Sequence, residues 1–176
     1  MMSGLFFNGL KFCAFSLLII MILSSCDYNT KKSFDEEGRL LSVLRYKDGK
    51  LHGVCEWYYM TGKLQMTSEY AFNKLSGKQV RYYPTGVIQS ESFYKDNMLD
   101  RVYHYYSMNG KLNLIETYKS DTLHGLNQRL YDNGKIMVDG FYQNGMMHGN
   151  WLFYDVSGAV IGKAEFNPFC SQTSPI

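Results

Sequence analysis

The 176-residue chain is poor in the parts from which reaction sites are built. It has no Gly-x-Ser-x-Gly elbow to lift a nucleophile out of a strand, no glycine-rich phosphate loop and no His-Glu-x-x-His pair. Hydrolase and transferase chemistry therefore has no starting point. Charge of one sign is also missing. Eighteen basic residues face sixteen acidic ones, for a net charge of +2. Lys11 is the only charge in the first 25 residues, so removing that segment leaves +1. Such a balance sets up no field that would draw nucleic acid. With only three prolines and few low-complexity runs, disorder is confined to a short segment near the N-terminus and to the last residues. What is plentiful is aromatic: 16% of the chain, with all fifteen tyrosines beyond residue 25. That composition describes one aromatic-rich β domain in the 151 residues from Cys26 to Ile176.

The N-terminus addresses the chain to a membrane. Phe12 to Leu23, preceded by Lys11, is apolar or small for about a dozen residues, whereas a helix needs about twenty to cross ~30 Å of hydrocarbon. The length suits the apolar region of a signal peptide, here residues 1–25. The run ends in Leu23-Ser24-Ser25-Cys26, which resembles the lipobox of bacterial lipoproteins. Small residues let a peptidase grip the chain before the cut, and the Cys26 thiol carries the lipid. Two or three acyl chains anchor stably where one is marginal. The expected location is the bacterial cell envelope, with the domain facing either the periplasm or the outside. Asp27 to Ser33, short and polar, is expected to be a tether within the segment 26–33.

The remainder repeats every 24 residues. Tyr46, Tyr70, Tyr94, Tyr118, Tyr142 and Phe166 fall at that interval without an insertion, as do Gly38, Gly62, Gly86, Gly110, Gly134 and Gly158. Gly53, Gly77, Gly125 and Gly149 form another column, broken at Arg101, and Leu51, Leu75, Leu99, Leu123 and Met147 a fourth. The chain is a repeat protein. A half repeat over 34–45 precedes five repeats starting at 46, 70, 94, 118 and 142; the repeat domain ends at 166 and the tail is 167–176.

Each repeat reads as two strands and two turns. Thr61-Gly62, Asn109-Gly110 and Asn133-Gly134 mark one turn, and Asp48-Gly49, Asp96-Asn97 and Asn144-Gly145 the other. Twenty-four residues leave no room for a helix, so the expected fold is all-β: an elongated antiparallel β-meander whose stability comes from stacking neighbours. The apolar ladders headed by Tyr46, Leu51, Tyr58 and Leu64 are expected to face inward. Glu56, Arg81 and Arg129 are expected on the wet face. Leu40 to Tyr46 should start the sheet, and Phe166 with the Pro168-containing tail should close it.

Tyr46 to Gly53 (Tyr-x-Asp-Gly-x-x-His-Gly) and Tyr58 to Leu64 (Tyr-Tyr-x-x-Gly-Lys-Leu) resemble the MORN-repeat variant, as do Tyr118 to Gly125 and Tyr142 to Gly149. The resemblance covers about Phe34 to Phe166. It implies an elongated antiparallel sheet that binds proteins or membranes, and no activity. Proteins of this kind are often catalogued as YwqK-family antitoxins, which implies a toxin as one possible partner. This chain departs from the pattern at Asp100-Arg101 and at Leu75-Ser76, where His-Gly and His stand in other repeats.

No catalytic residue, metal site or cofactor is expected. His52, His124 and His148 share a repeat position, but equivalent atoms in adjacent repeats lie roughly 9–10 Å apart and zinc holds its ligands at about 2 Å. Asp35-Glu36-Glu37 reads as a solvated cap. Cys13 leaves with the signal and Cys26 takes lipid. Cys55 and Cys170 are left at opposite ends, roughly 40 Å apart, against the ~7 Å a disulfide spans. What remains is surface: a concave sheet lined by Tyr, Trp and Arg, the residue types of binding hot spots. Trp57, Tyr59, Tyr83, Tyr103, Tyr105, Tyr131 and Trp151 exceed what four core columns need and are the candidate partner-binding residues. The expected function is a non-enzymatic envelope lipoprotein, anchored to the membrane by lipid on Cys26. Its sheet holds an unidentified protein or an envelope glycan or lipid, and no nucleic acid. The alternative is an antitoxin or immunity protein that neutralises a cognate toxin.

Overall fold

A computed structural model describes residues 27–167. Cys26, Cys170, Pro168 and the signal segment lie outside the described residues. The strands are β1 (Tyr28–Phe34), β2 (Leu40–Lys47), β3 (Lys50–Leu51), β4 (Gly53–Tyr58), β5 (Leu64–Ala71), β6 (Lys74–Tyr82) and β7 (Ile88–Lys95), followed by β8 (Met98–Leu99), β9 (Arg101–Tyr106), β10 (Leu112–Lys119), β11 (Thr122–Leu130), β12 (Ile136–Gln143), β13 (Met146–Tyr154) and β14 (Val160–Phe166). They form one open antiparallel sheet in chain order, β1-β2-β4-β5-β6-β7-β9-β10-β11-β12-β13-β14, with the two-residue β3 and β8 pairing with β2 and β7. The all-β meander expected from the 24-residue period is the fold observed.

Local chemistry explains the punctuation. At one end of each repeat both central turn residues have positive φ: Asp48 and Gly49, Asp96 and Asn97, Asn144 and Gly145, and also Phe72 and Asn73, and Ser120 and Asp121. This is the turn whose twist matches the flanking strands. Asn and Asp tolerate the left-handed region better than other side chains, and here they do more. The Asn73 N–H donates to the Leu51 carbonyl at 2.9 Å, while its Oδ1 accepts from the Leu51 N–H at 2.7 Å. Asn97 clamps Leu75 the same way, and Asp121 clamps Leu99. The leucine column thus marks where each repeat is tied to the next. At the other end the strands are offset by a bulge: Trp57 pairs with Met66 but Tyr58 with Leu64, leaving Gln65 unpaired.

Two expectations need correction. Residues 28–33, expected within the tether, instead form the edge strand β1 together with Phe34, paired from Tyr28↔Lys47 to Ser33↔Ser42. An exposed edge strand buries no apolar face, so its sequence looks like a linker; backbone pairing and its lysines define it. The sheet therefore starts at β1 rather than at Leu40. The four apolar ladders, moreover, do not share one side. Tyr46 pairs with Leu51 and Tyr70 with Leu75, on the face that also carries Cys55 and Trp57. Tyr58, which follows Trp57 directly, and its partner Leu64 lie on the opposite face. A single-layer sheet has no common core, and each face carries two of the ladders, at opposite ends of the strands. We call the face with Tyr46 and Trp57 the front and the other the back.

Candidate functional site

The register of consecutive strands builds one continuous row across the front: Ser42, Trp57, Met66, Arg81, Ser90, Tyr105, Leu114, Arg129, Val138 and Phe153. Because 24 is even, a repeat column keeps its face throughout. One column of this row runs Trp57, Arg81, Tyr105, Arg129, Phe153, so that aromatic and guanidinium alternate from repeat to repeat. Beside it runs a row of buried, mostly small or polar side chains: Cys55 and Ser68 with no exposure, Gln79, Ser92 and Asn127. These satisfy one another. The Gln79 amide donates to Ser68 Oγ at 2.8 Å, and the Asn127 amide to Glu116 Oε1 at 3.3 Å. The Tyr118 hydroxyl donates to Glu116 Oε2 at 2.7 Å, and burial followed by this carboxylate pushes the phenol pKa well up.

Charges sort by face. On the back, Arg45 pairs with Glu56 at 3.0 Å and Lys78 with Glu91 at 2.5 Å, and the Tyr58 and Tyr106 hydroxyls donate to those carboxylates. The Tyr58 hydroxyl is the main cause of a lowered Glu56 pKa, and Lys78 of a lowered Glu91 pKa. On the front, Arg81 and Arg129 are exposed, and neither has an ion-pair partner among the described residues. The expected wet face of Glu56, Arg81 and Arg129 is thus split. Glu56 occupies the column next to that of Arg81 and Arg129, and neighbouring positions of a strand point to opposite sides. The front also holds an open cleft of about 280 Å³, lined by Glu116, Asn127, Arg129, Val138, Tyr142, Met147, Trp151 and Phe153. The Trp151 ring that lines it lies directly over Gly140, in the space a side chain there would need.

The seven candidate aromatics fall into three groups. The Tyr59, Tyr83 and Tyr131 hydroxyls donate to the carbonyls of Tyr82, Tyr106 and Tyr154, each 23 residues on, at 2.6–2.8 Å. They staple neighbouring repeats, and Tyr83 is buried. Trp151 is buried as well, edge-on to Tyr142 and Phe166 at 5.2 and 6.2 Å, and its indole N–H finds no acceptor among the described residues. Trp57, Tyr103 and Tyr105 are half-buried on the front beside the arginines. Arg81 and Arg129 as members of the site were missed; the signal was their alternation with aromatics in a single column.

The histidines serve turns and rings. His52 stacks at 4.8 Å on Phe72, His124 Nδ1 lies 3.2 Å from Asn144 Oδ1, and His148 packs on Phe141. Among the described residues no three His, Cys, Asp or Glu side chains come together as metal ligands would. Arg101 takes φ +81° in the column where other repeats have glycine, and lines a second cleft with Lys95, Asp100 and Phe93.

No curated protein matches the chain. The stretch between residues 96 and 123, which holds Asp100 and Arg101, stands outside the segments that match a known repeat. Residues 51–71, 75–96 and 123–144, which fall in three of the five repeats, match the family model of the MORN repeat variant.

Proposed function

We propose that the protein is a non-enzymatic lipoprotein of the bacterial envelope, held to the membrane by lipid on Cys26, whose repeat sheet binds another protein through its front face. The observation that carries the binding half is a contrast of charge: Arg45 and Lys78 on the back are paired with Glu56 and Glu91, whereas Arg81 and Arg129 on the front stand exposed and unpaired between half-buried aromatics. Arginine beside aromatic rings is the composition of binding hot spots. Repeats of this variant commonly act as protein- or membrane-interaction modules, which supports the same reading. The anchoring half rests on Leu23-Ser24-Ser25-Cys26. A comparison of the native chain with Cys26→Ser tests it. The native chain is expected to take up labelled acyl groups and sediment with membranes, and the variant to do neither. If both stay soluble and unlabelled inside the cell, the envelope reading fails and a cytosolic antitoxin takes its place.

A further inference from the structure

We propose that the front face holds an extended acidic polypeptide segment laid across the strands, with two carboxylates about six residues apart meeting Arg81 and Arg129. An apolar side chain midway between them rests on Tyr105. This rests on the interaction-module reading and adds the chemistry of the partner. The two arginines sit on β6 and β11, separated by four strand steps through β7, β9 and β10. At about 4.8 Å per step their Cα atoms are roughly 19 Å apart. An extended or polyproline-like chain advances about 3.1–3.4 Å per residue, so that span corresponds to about six residues. Tyr105 lies two steps from each arginine and so meets the residue about three along.

Charge complementarity selects the acidic partner. The charged side chains in the two central front-face rows between β4 and β13 are Arg81, Arg129 and Glu116, none of them in an ion pair among the described residues, so the rows carry a net positive charge. Glu116 already accepts from Tyr118 and Asn127. Guanidinium groups present a planar fork that matches a carboxylate. A glycan fits less well. The hydroxyl and amide side chains that would match sugar hydroxyls, Ser42, Ser68, Gln79, Ser90 and Ser92, are buried in the sheet surface. Ser42 is bonded to Ser33, and Ser68 to Gln79. The face presents forks and rings, which suit acidic and apolar side chains.

The test uses the full chain in detergent and labelled 13-residue peptides in a Gly/Ser/Pro background. Each carries two Asp residues and one Leu midway, with the acids three, six or nine residues apart. Fluorescence anisotropy is expected to show the six-residue spacing binding about tenfold tighter than the other two. Arg81→Gln or Arg129→Gln should each weaken it about tenfold. The double variant, with an unchanged thermal melt, should no longer distinguish the spacings. Equal binding of all three peptides overturns the proposal, as does indifference to both substitutions. Saturable binding of polygalacturonate through the same arginines, with all peptides silent, overturns it in favour of a glycan. A photo-crosslinker at position 105 in intact envelopes separates the two readings. An adduct with a protein lacking such an acidic segment refutes the peptide chemistry while leaving the interaction module standing.

Discussion

Gly140 is the residue that leaves room for the Trp151 ring. A Cβ there would lie 2.2–2.5 Å from three carbons of the Trp151 ring. The ring is fixed edge-on between Tyr142 and Phe166 and has nowhere to go. Gly140→Ala should therefore cost about 1–3 kcal/mol in urea unfolding, the range for overpacking a fixed side chain. Arg101 makes the opposite case. Its φ of +81° is one that side chains with a Cβ adopt at a cost, and four of the five repeats place glycine there. Arg101→Gly should raise the unfolding free energy by roughly 0.5–1 kcal/mol, the relief of strain being partly offset by a more flexible unfolded chain. A loss of stability in the same urea titration would mean that contacts of the Arg101 side chain outweigh the strain.

At the scale of the strand pair, the back-face carboxylates govern the response to acid. Glu91 is held by the Lys78 ammonium and the Tyr106 hydroxyl, and its pKa lies below the ordinary glutamate value. A depressed pKa contributes stability that is present above the unfolded value of about 4.3 and is lost as the pH falls through the folded one. The protein should lose stability from about pH 5 downward. Glu91→Gln should be weaker at pH 7 but show a shallower decline over that window in denaturant titrations. Asp96→Asn should change little, because the Lys74–Asp96 pair is more than half exposed on both sides and screened by solvent. The same strands show what sequence could and could not disclose. Period, turns and the two strands per repeat were legible because Gly62, Tyr70 and their equivalents recur without insertion. The clamp of Asn73 on Leu51 was not, since it joins residues 22 apart across a repeat boundary that no local pattern marks. Nor was the sidedness. The Tyr46 and Tyr58 ladders look alike as columns, and only the pairing register shows them on opposite faces. The edge strand β1 escaped for a third reason: its residues are all exposed, so no buried apolar face distinguishes it from a linker.

For the whole molecule the decisive property is that, among the described residues, every repeat packs only against its neighbours in a single open sheet. Removing residues 94–117 joins Phe93 to Tyr118 and leaves every column in register, with the strand turns intact. The shortened chain should fold, with a urea m-value lower by roughly a fifth, because m follows the surface exposed on unfolding. Removing residues 93–117 instead takes out an odd number and throws every later side chain onto the wrong face, so that chain should aggregate or stay unfolded. The 24-residue deletion also brings Arg81 and Arg129 from four strand steps to two and takes away Tyr105 between them. The guanidinium spacing falls from roughly 19 Å to roughly 10 Å. If the front face reads an extended acidic segment by that spacing, the preferred separation of acids must drop from about six residues to about three in the same anisotropy assay. Non-specific attraction would leave the order of the peptides unchanged. A folded deletion chain that still prefers the six-residue spacing would therefore exclude the arginine row as the ruler.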